Sequence, residues 1–285
     1  MLTIKTIAEM QAWAGASQRQ GRRIALVPTM GYLHEGHLSL IRLARERADQ
    51  LVVSLFVNPT QFAPNEDFDR YPRDEARDAA LCEAENVDVL FQPPVDEMYA
   101  PGHAVYVDED GVARTLEGAH RPGHFRGVLT VVAKLFLAVH PDVAVFGRKD
   151  AQQLWLLQKM VRDLNFPVAI AAGPTVREPD GLALSSRNAY LEGALREQAL
   201  CLSRALREAR RRFQEGERNA YLLRGAMLDI ISAAPDARMD YIEIVDAETF
   251  APVAVVNRPA LALLAVRVGG TRLIDNMELS EGAAS

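Results

Sequence analysis

Cysteine is scarce: the 285-residue chain has two, Cys82 and Cys201. Two thiols in helix-like stretches build no disulfide framework and suit a reducing compartment, so a cytoplasmic location is expected. Long apolar runs are also lacking. No stretch reaches the length of about 18 residues that a membrane-crossing helix needs. Met1-Leu2-Thr3-Ile4-Lys5-Thr6 contains no apolar core of a signal peptide, so an unexported chain is expected. There is no excess of basic charge: the formal net charge is −6 and the isoelectric point about 5.6. That argues against a dedicated nucleic-acid binder. Internal repeats and low-complexity segments are missing too. What is left is an ordinary globular composition, 49% hydrophobic and 25% charged, long enough for one large or two moderate domains.

The first 175 or so residues alternate two patterns. Apolar runs at 24–28, 51–57, 87–91, 142–146 and 168–171 predict strands. Amphipathic stretches at 7–20, 38–49, 75–85, 128–140 and 151–164 predict helices. Continuous apolar strands have both faces covered. Their alternation with helices predicts a doubly wound parallel sheet, with ligands at the carboxyl ends of the strands. After Thr175 the composition changes. A loop rich in Pro, Asp, Gly and Ser runs over 178–188, followed by helical patterns at 193–214 and 220–233 and strands at 239–245, 253–256 and 261–268. The expectation is a Rossmann-like domain over 1–176 and a smaller α+β domain over 177–285, with a frayed tail at 280–285. Arg210, Arg211 and Arg212 read as a solvated helix face.

The segment Pro28-Thr29-Met30-Gly31-Tyr32-Leu33-His34-Glu35-Gly36-His37 joins the first strong strand to the next helix. The first turn of a helix has N–H groups without internal partners and the positive end of the macrodipole. Gly31 and Gly36 let a bulky anion approach the backbone. His34 and His37, three apart, share a helix face and can donate to one anion or stabilise a pyrophosphate leaving group. That suits nucleotidyl transfer from ATP. A single histidine at a helix start is more often a cap or surface residue. A zinc site is disfavoured, because the spacing is not H-E-x-x-H and no third ligand lies nearby.

Other loops follow the strands. Asn58 and Gln61, in Val57-Asn58-Pro59-Thr60-Gln61-Phe62, can hold hydroxyl or carboxylate groups, although Asn-Pro also simply ends a strand. Residues 117–126 hold four His or Arg side chains and read as a loop able to close over an anion. Gly147-Arg148-Lys149-Asp150 places a cation at a helix start, with Asp150 a good cap and Gln152 or Gln153 facing a pocket. Leu184-Ser185-Ser186-Arg187 offers two hydroxyls and a guanidinium. Three anion-competent loops on one α/β framework favour an ATP-using enzyme. No nucleophile elbow appears, and neither cysteine lies near these loops.

With these motifs the chain resembles the pantoate–β-alanine ligase (pantothenate synthetase) family over nearly its whole length. The resemblance rests on PTMGYLHEGH at 28–37, FVNPTQF at 56–62, YPR at 71–73, HFRGVLTVVAKLF at 124–136, FGRKDAQQL at 146–154, PTVREPDGLALSSRNAYL at 174–191 and TRLIDN at 271–276. The H-x-G-H element alone marks only the nucleotidyltransferase superfamily. The resemblance implies that pantoate attacks the α-phosphate of Mg-ATP to give pantoyl adenylate, which β-alanine then opens to pantothenate and AMP. It implies that Met30, Gly31, Tyr32, Leu33, His34, Glu35, Gly36 and His37 bind ATP, with His37 the proton donor. Gly147, Arg148, Lys149, Asp150, Val176 (through its backbone), Leu184, Ser185, Ser186 and Arg187 complete the ATP site. His34, Lys149, Ser185, Ser186 and Arg187 stabilise the phosphate charge. Gln61 holds pantoate and β-alanine, and Gln153, Asn58 and Tyr71 belong to the pantoate region. His124 and Arg121 belong to a covering loop. The implied assembly is a cytoplasmic homodimer, with Mg²⁺ brought by the nucleotide and no nucleic-acid or membrane partner.

The chain departs from the family pattern at Arg148, where the family usually has Glu, and at Ala151, where an aromatic residue is common. Arg148 is expected to face solvent or a phosphate. Two other functions remain open: a related transferase acting on a phosphate or alcohol, and a non-catalytic nucleotide-binding regulator.

Overall fold

A computed structural model describes residues 1–64, 66 and 68–281. Of the tail expected to fray, 282–285 lie outside the described residues. The chain divides into two compact units, one of residues 1–148 and 152–174, the other of 149–151 and 175–285.

The first unit is built on a six-stranded, all-parallel sheet in the order β1-β4-β3-β2-β5-β6. Its strands are β1 (Leu2–Ile4), β2 (Ile24–Thr29), β3 (Gln50–Leu55), β4 (Val89–Phe91), β5 (Val143–Gly147) and β6 (Ala169–Gly173). The helices between them are α1 (Ile7–Arg19), α2 (Glu35–Arg45), α3 (Glu75–Ala84), α4 (Val95–Met98), α5 (Glu117–His120), α6 (His124–Val139) and α7 (Ala151–Asp163). Side chains of a strand alternate between faces. Ile24 and Leu26 accordingly join one core, with Met10 of α1, Leu129 of α6 and Leu156 of α7. Ala25 and Val27 join another, with Ile41 of α2 and Cys82 of α3. This is the expected doubly wound sheet. From β2 the chain first adds β3 and β4 on one side, then returns to place β5 on the other. The switch point therefore lies between β2 and β5, whose carboxyl ends carry 30–37 and 148–150.

The second unit has α8 (Gly193–Gln198), α9 (Cys201–Gln214) and α10 (Ala220–Ser232), with the antiparallel sheet β7 (Ala237–Asp246), β8 (Ala260–Val268) and β9 (Thr271–Leu279). Leu202, Leu206 and Phe213 of α9 and Leu223 and Met227 of α10 share a core with Ile244 and Leu264. Arg211 bonds Glu208 and Glu215, and Arg212 bonds Glu208, on an exposed helix face.

Some elements differ from the sequence expectation. β1 is absent from the expected strands: it is three residues long, at the sheet edge, and buries only Ile4. The stretch 193–214 is two helices, since Ala199 and Leu200 lie near helical angles but interrupt the α-helix without a Gly or Pro to mark the break. The strand expected at 253–256 is reduced to isolated bridges from Pro252 and Val255. The third strand is β9, whose alternation is masked by Arg272, Asp275 and Glu278. The segment 117–126 contains α5 and the start of α6 rather than being an open loop. Asp150 lies inside a 3-10 turn, Arg148–Asp150, that runs directly into α7, so it is not a cap standing ahead of the helix.

Candidate functional site

The turn after β2 is shaped by its backbone. Gly31 and Tyr32 both have positive φ, 84° and 52°. For Tyr32 this conformation is unfavourable, so something must hold it. Asp78 of α3 does so. Its carboxylate, 1% exposed, accepts the Tyr32 N–H at 2.6 Å and the Leu33 N–H at 2.7 Å. Thr29 Oγ1 accepts the Gly31 N–H at 3.2 Å and donates to the Ser54 carbonyl at 2.8 Å.

α2 begins one residue past His34. His34 is the N-cap, and His34 and His37 form a reciprocal capping box. His34 Nδ1 accepts the Gly36 N–H at 3.1 Å, and His37 Nδ1 accepts the His34 N–H at 3.3 Å. Both rings therefore use Nδ1 as acceptor, and a neutral ring then carries its proton on Nε2. The ring centroids are 4.1 Å apart. The capping bonds to the backbone thus fix the tautomer of both neutral rings, with Nε2 as the nitrogen that carries the proton. The Gly36, Tyr32 and Leu33 amides already have protein partners. These three amides are therefore not the bare donors that the sequence reading of a helix start expected. Glu35, exposed, pairs with Arg42.

The turn after β3 stands beside it. Asn58 is 1% exposed and its amide is fully engaged. Nδ2 donates to Gln61 Oε1 and to the Gly127 carbonyl, both at 3.1 Å, and Oδ1 accepts from Thr60 and from the Tyr99 hydroxyl at 2.9 Å. Asn58 thus orients Gln61. Gln61 Nε2 donates to Met30 Sδ at 3.1 Å, which joins the turns after β2 and β3. A Cβ on Gly127 would come within 2.4 Å of the Thr60 carbonyl oxygen, so α6 and this turn touch backbone to backbone.

His124 and Arg121 secure Gln61 from below. The Gln61 carbonyl can only accept, so His124 Nδ1–H donates to it, at 2.9 Å. Nε2 then accepts from Arg121 at 3.0 Å. Arg121 also grips Glu66 through two nitrogens, at 2.7 and 2.8 Å. Burial, with the Arg121 guanidinium, pushes the His124 pKa down to about 4, so the ring is neutral. Burial raises the Glu66 carboxyl, but the bonds from Arg121 override it and hold it below the ordinary range. Tyr71 is buried, edge-on to Phe62 at 5.9 Å. Of the two glutamines opening α7, Gln152 is buried and bound to backbone groups of Val112, Thr115 and Glu117. Gln153, half-buried, is the one not consumed in that way. Gly147 ends β5 and Arg148 is exposed.

The second unit holds its own group. Lys149 Nζ lies 3.8 Å from Asp150. Val176 accepts the Leu184 N–H at 3.0 Å, closing a hairpin bridged between Arg177 and Ala183. Ser185 caps the 3-10 turn Ser186–Tyr190 by accepting the Arg187 N–H at 3.3 Å. Arg177, Asp275 and Asn276, which support this group, carried no signal of their own in the sequence. They lie in two motifs of the resemblance, at positions to which no role was attached. Among the described residues, no three His, Cys, Asp or Glu side chains are gathered as a metal site requires, and no helix is long and apolar enough to cross a membrane.

A parallel α/β sheet with H-x-G-H capping the helix after its central strand defines a nucleotidyltransferase-type protein. The comparisons narrow this. The family profile described as pantoate-beta-alanine ligase matches residues 2–278. The pantothenate synthetase of Geobacter sulfurreducens is 54% identical over 281 residues, covering 99% of each chain. A crystal structure of the enzyme from Thermus thermophilus superposes with a TM-score of 0.94 at 48% identity, over 99% of this chain and 100% of that one. The Francisella tularensis pantoate-beta-alanine ligase, solved in complex with beta-gamma ATP and beta-alanine, gives a TM-score of 0.81 at 34% identity over 100% of both chains. The chain belongs to the pantoate-beta-alanine ligase family.

Proposed function

We propose the following division of labour for the family's reaction in this chain. The protein is an ATP-dependent ligase that condenses pantoate with β-alanine to pantothenate. In the first half-reaction a pantoate carboxylate oxygen bonds to the α-phosphorus of Mg-ATP. The bond from that phosphorus to the bridging oxygen breaks, and pyrophosphate leaves with the electron pair. In the second, the β-alanine amine attacks the acyl carbon of pantoyl adenylate. The acyl–oxygen bond breaks, AMP leaves, and the nitrogen loses a proton. Neither half needs a nucleophile from the protein; positioning and charge stabilisation suffice.

The observation that carries this reading is the close, tilted His34–His37 pair, with both Nδ1 atoms committed to the backbone. The Nε2–H groups serve the ATP phosphates, and His37 gives a proton to the departing pyrophosphate. Met30–His37, Gly147–Asp150, Val176 and Leu184–Arg187 bind ATP, with Lys149, Ser185, Ser186 and Arg187 countering charge at the transferring phosphate. Gln61, oriented by Asn58, binds pantoate and β-alanine. Gln153 and Tyr71 complete the pantoate side. The first unit carries Met30–His37 and the pantoate residues, and the smaller second unit carries Lys149, Asp150, Val176 and Leu184–Arg187. Magnesium enters as Mg-ATP, since a hard, well-hydrated ion is commonly held by substrate phosphates. The same reading makes the protein a cytoplasmic homodimer.

The deciding experiment is pyrophosphate release from Mg-ATP with pantoate alone and then with β-alanine added. Sustained release requiring both acids, with AMP and pantothenate formed in step, supports the reading. Release that ignores pantoate overturns it.

A further inference from the structure

Asp275 and Asn276 are consecutive residues of β9, and both are buried, at 2% and 8% exposure. Each reaches a different segment of the second unit. The Asp275 carboxylate takes Arg177 in a two-pronged pair, Nη1 at 2.6 Å and Nη2 at 2.9 Å. The same guanidinium donates to the carbonyls of Gly181 and Asn276, both at 3.2 Å. It thereby spans the mouth and tip of the 176–184 hairpin. Asp275 also accepts the Asn276 N–H at 2.8 Å. Asn276 Nδ2 donates to the Lys149 carbonyl at 2.8 Å.

We infer that Asp275 and Asn276 are positioning residues for the nucleotide. They fix the main chain at Lys149 and the Val176–Leu184 hairpin to one strand, and so set the spacing between Lys149 and Ser185–Arg187. This rests on the proposal that those residues bind ATP.

The chemistry fits orientation better than stability. A buried ion pair contributes little net stability against an apolar pair of the same volume, but its planar two-pronged geometry fixes direction. An asparagine amide bonded to one carbonyl of a turn fixes that turn's place without restraining the lysine side chain. Neighbouring strand residues project to opposite faces, which is how one dipeptide reaches two segments.

The test compares Asn276→Asp, Asn276→Ser and Asp275→Asn with Lys149→Met, and with Arg272→Ala as a control. Arg272 lies on the same strand and pairs with Asp240. Steady-state constants are measured for ATP, pantoate and β-alanine, alongside melting temperature. Asn276→Asp keeps the shape but turns an acceptor toward the Lys149 carbonyl. It should raise the KM for ATP about tenfold and leave those for pantoate and β-alanine within about twofold. Asn276→Ser, a milder change, should shift ATP alone by a smaller factor and keeps the test alive if Asn276→Asp does not fold. An equal shift in all three constants, or the same ATP effect from Arg272→Ala, overturns the inference. So does normal ATP use by the Asn276 variants when Lys149→Met is defective. If Lys149→Met is itself normal for ATP, the underlying assignment fails as well.

Discussion

Asp78 accepts the backbone N–H of Leu33 at 2.7 Å from a helix 45 residues further along the chain. With its second bond to Tyr32, it holds the left-handed turn that precedes His34. Asp78→Ala would leave the buried Leu33 amide and the part-buried Tyr32 amide without this partner, at a cost of about 2–3 kcal/mol. Asp78→Asn should cost less in folding, because one oxygen remains, yet it turns an N–H₂ against a backbone N–H. Both variants should unfold earlier in urea and show a raised KM for ATP. An Asp78→Ala protein as stable as the parent would mean that the turn holds itself.

His37→Ala removes a ring whose Nε2–H is set by a backbone bond at Nδ1. Single-turnover adenylate formation should slow by about a hundredfold or more, with little change in pantoate binding. A slowing of less than about threefold would exclude His37 from the chemical step.

Gly127→Ala tests the contact between α6 and the Asn58–Gln61 turn. The new Cβ would meet Thr60 O at 2.4 Å and Gln61 N at 2.7 Å, backbone atoms that cannot swing aside. Displacing the turn should cost about 1–3 kcal/mol and raise the KM for pantoate and β-alanine more than that for ATP. Equal changes in all three constants would mean that the distortion spreads beyond the turn.

His124 makes stability depend on acid. Its folded pKa of about 4 lies below its ordinary 6.5. Between those values the unfolded chain binds the proton and the folded one does not, so stability falls as pH drops through that window. Its contribution is complete above about 6.5 and gone below about 4, with an upper limit of about 3 kcal/mol. His124→Gln should flatten the pH dependence of urea unfolding between pH 7 and pH 4.5. An unchanged slope would assign the acid sensitivity to other groups.

Arg148 is exposed. With Arg148 serving the proposed ATP site through its main chain, Arg148→Glu should change kcat/KM for ATP by less than about threefold. A larger loss would make the arginine a phosphate contact in its own right.

The sheet was legible because β2 and β5 are uninterrupted apolar runs, and only burial on both faces tolerates such runs. β1 and β9 were not: one is too short to show a period, and the other carries Arg272, Asp275 and Glu278 within it, with Arg272 and the buried Asp275 paired to distant segments. The histidine pair was legible for a similar reason, since its spacing is local. What orients it was hidden. Asp78, in α3, resembles any acidic residue on a helix face until the fold brings it beneath Tyr32. Asp275 likewise has no meaning without Arg177, nearly a hundred positions away. Sequence spacing reveals groups that act together when one turn carries them, and conceals partners that only folding introduces. Residues 117–126 show the middle case: the cations were visible, but the bond from His124 to the Gln61 carbonyl turned an expected cover into a support.

Residues 149–151 group with the C-terminal unit, although 148 and 152 belong to the other. No single cleavage point can therefore yield both units whole. A fragment beginning at Thr175 would lack the carbonyl that Asn276 grips, and a fragment ending there would carry three residues that belong with the other unit. Split-protein reporters, domain exchange between relatives and circular permutation at this junction would each have to transplant that tripeptide along with the tail.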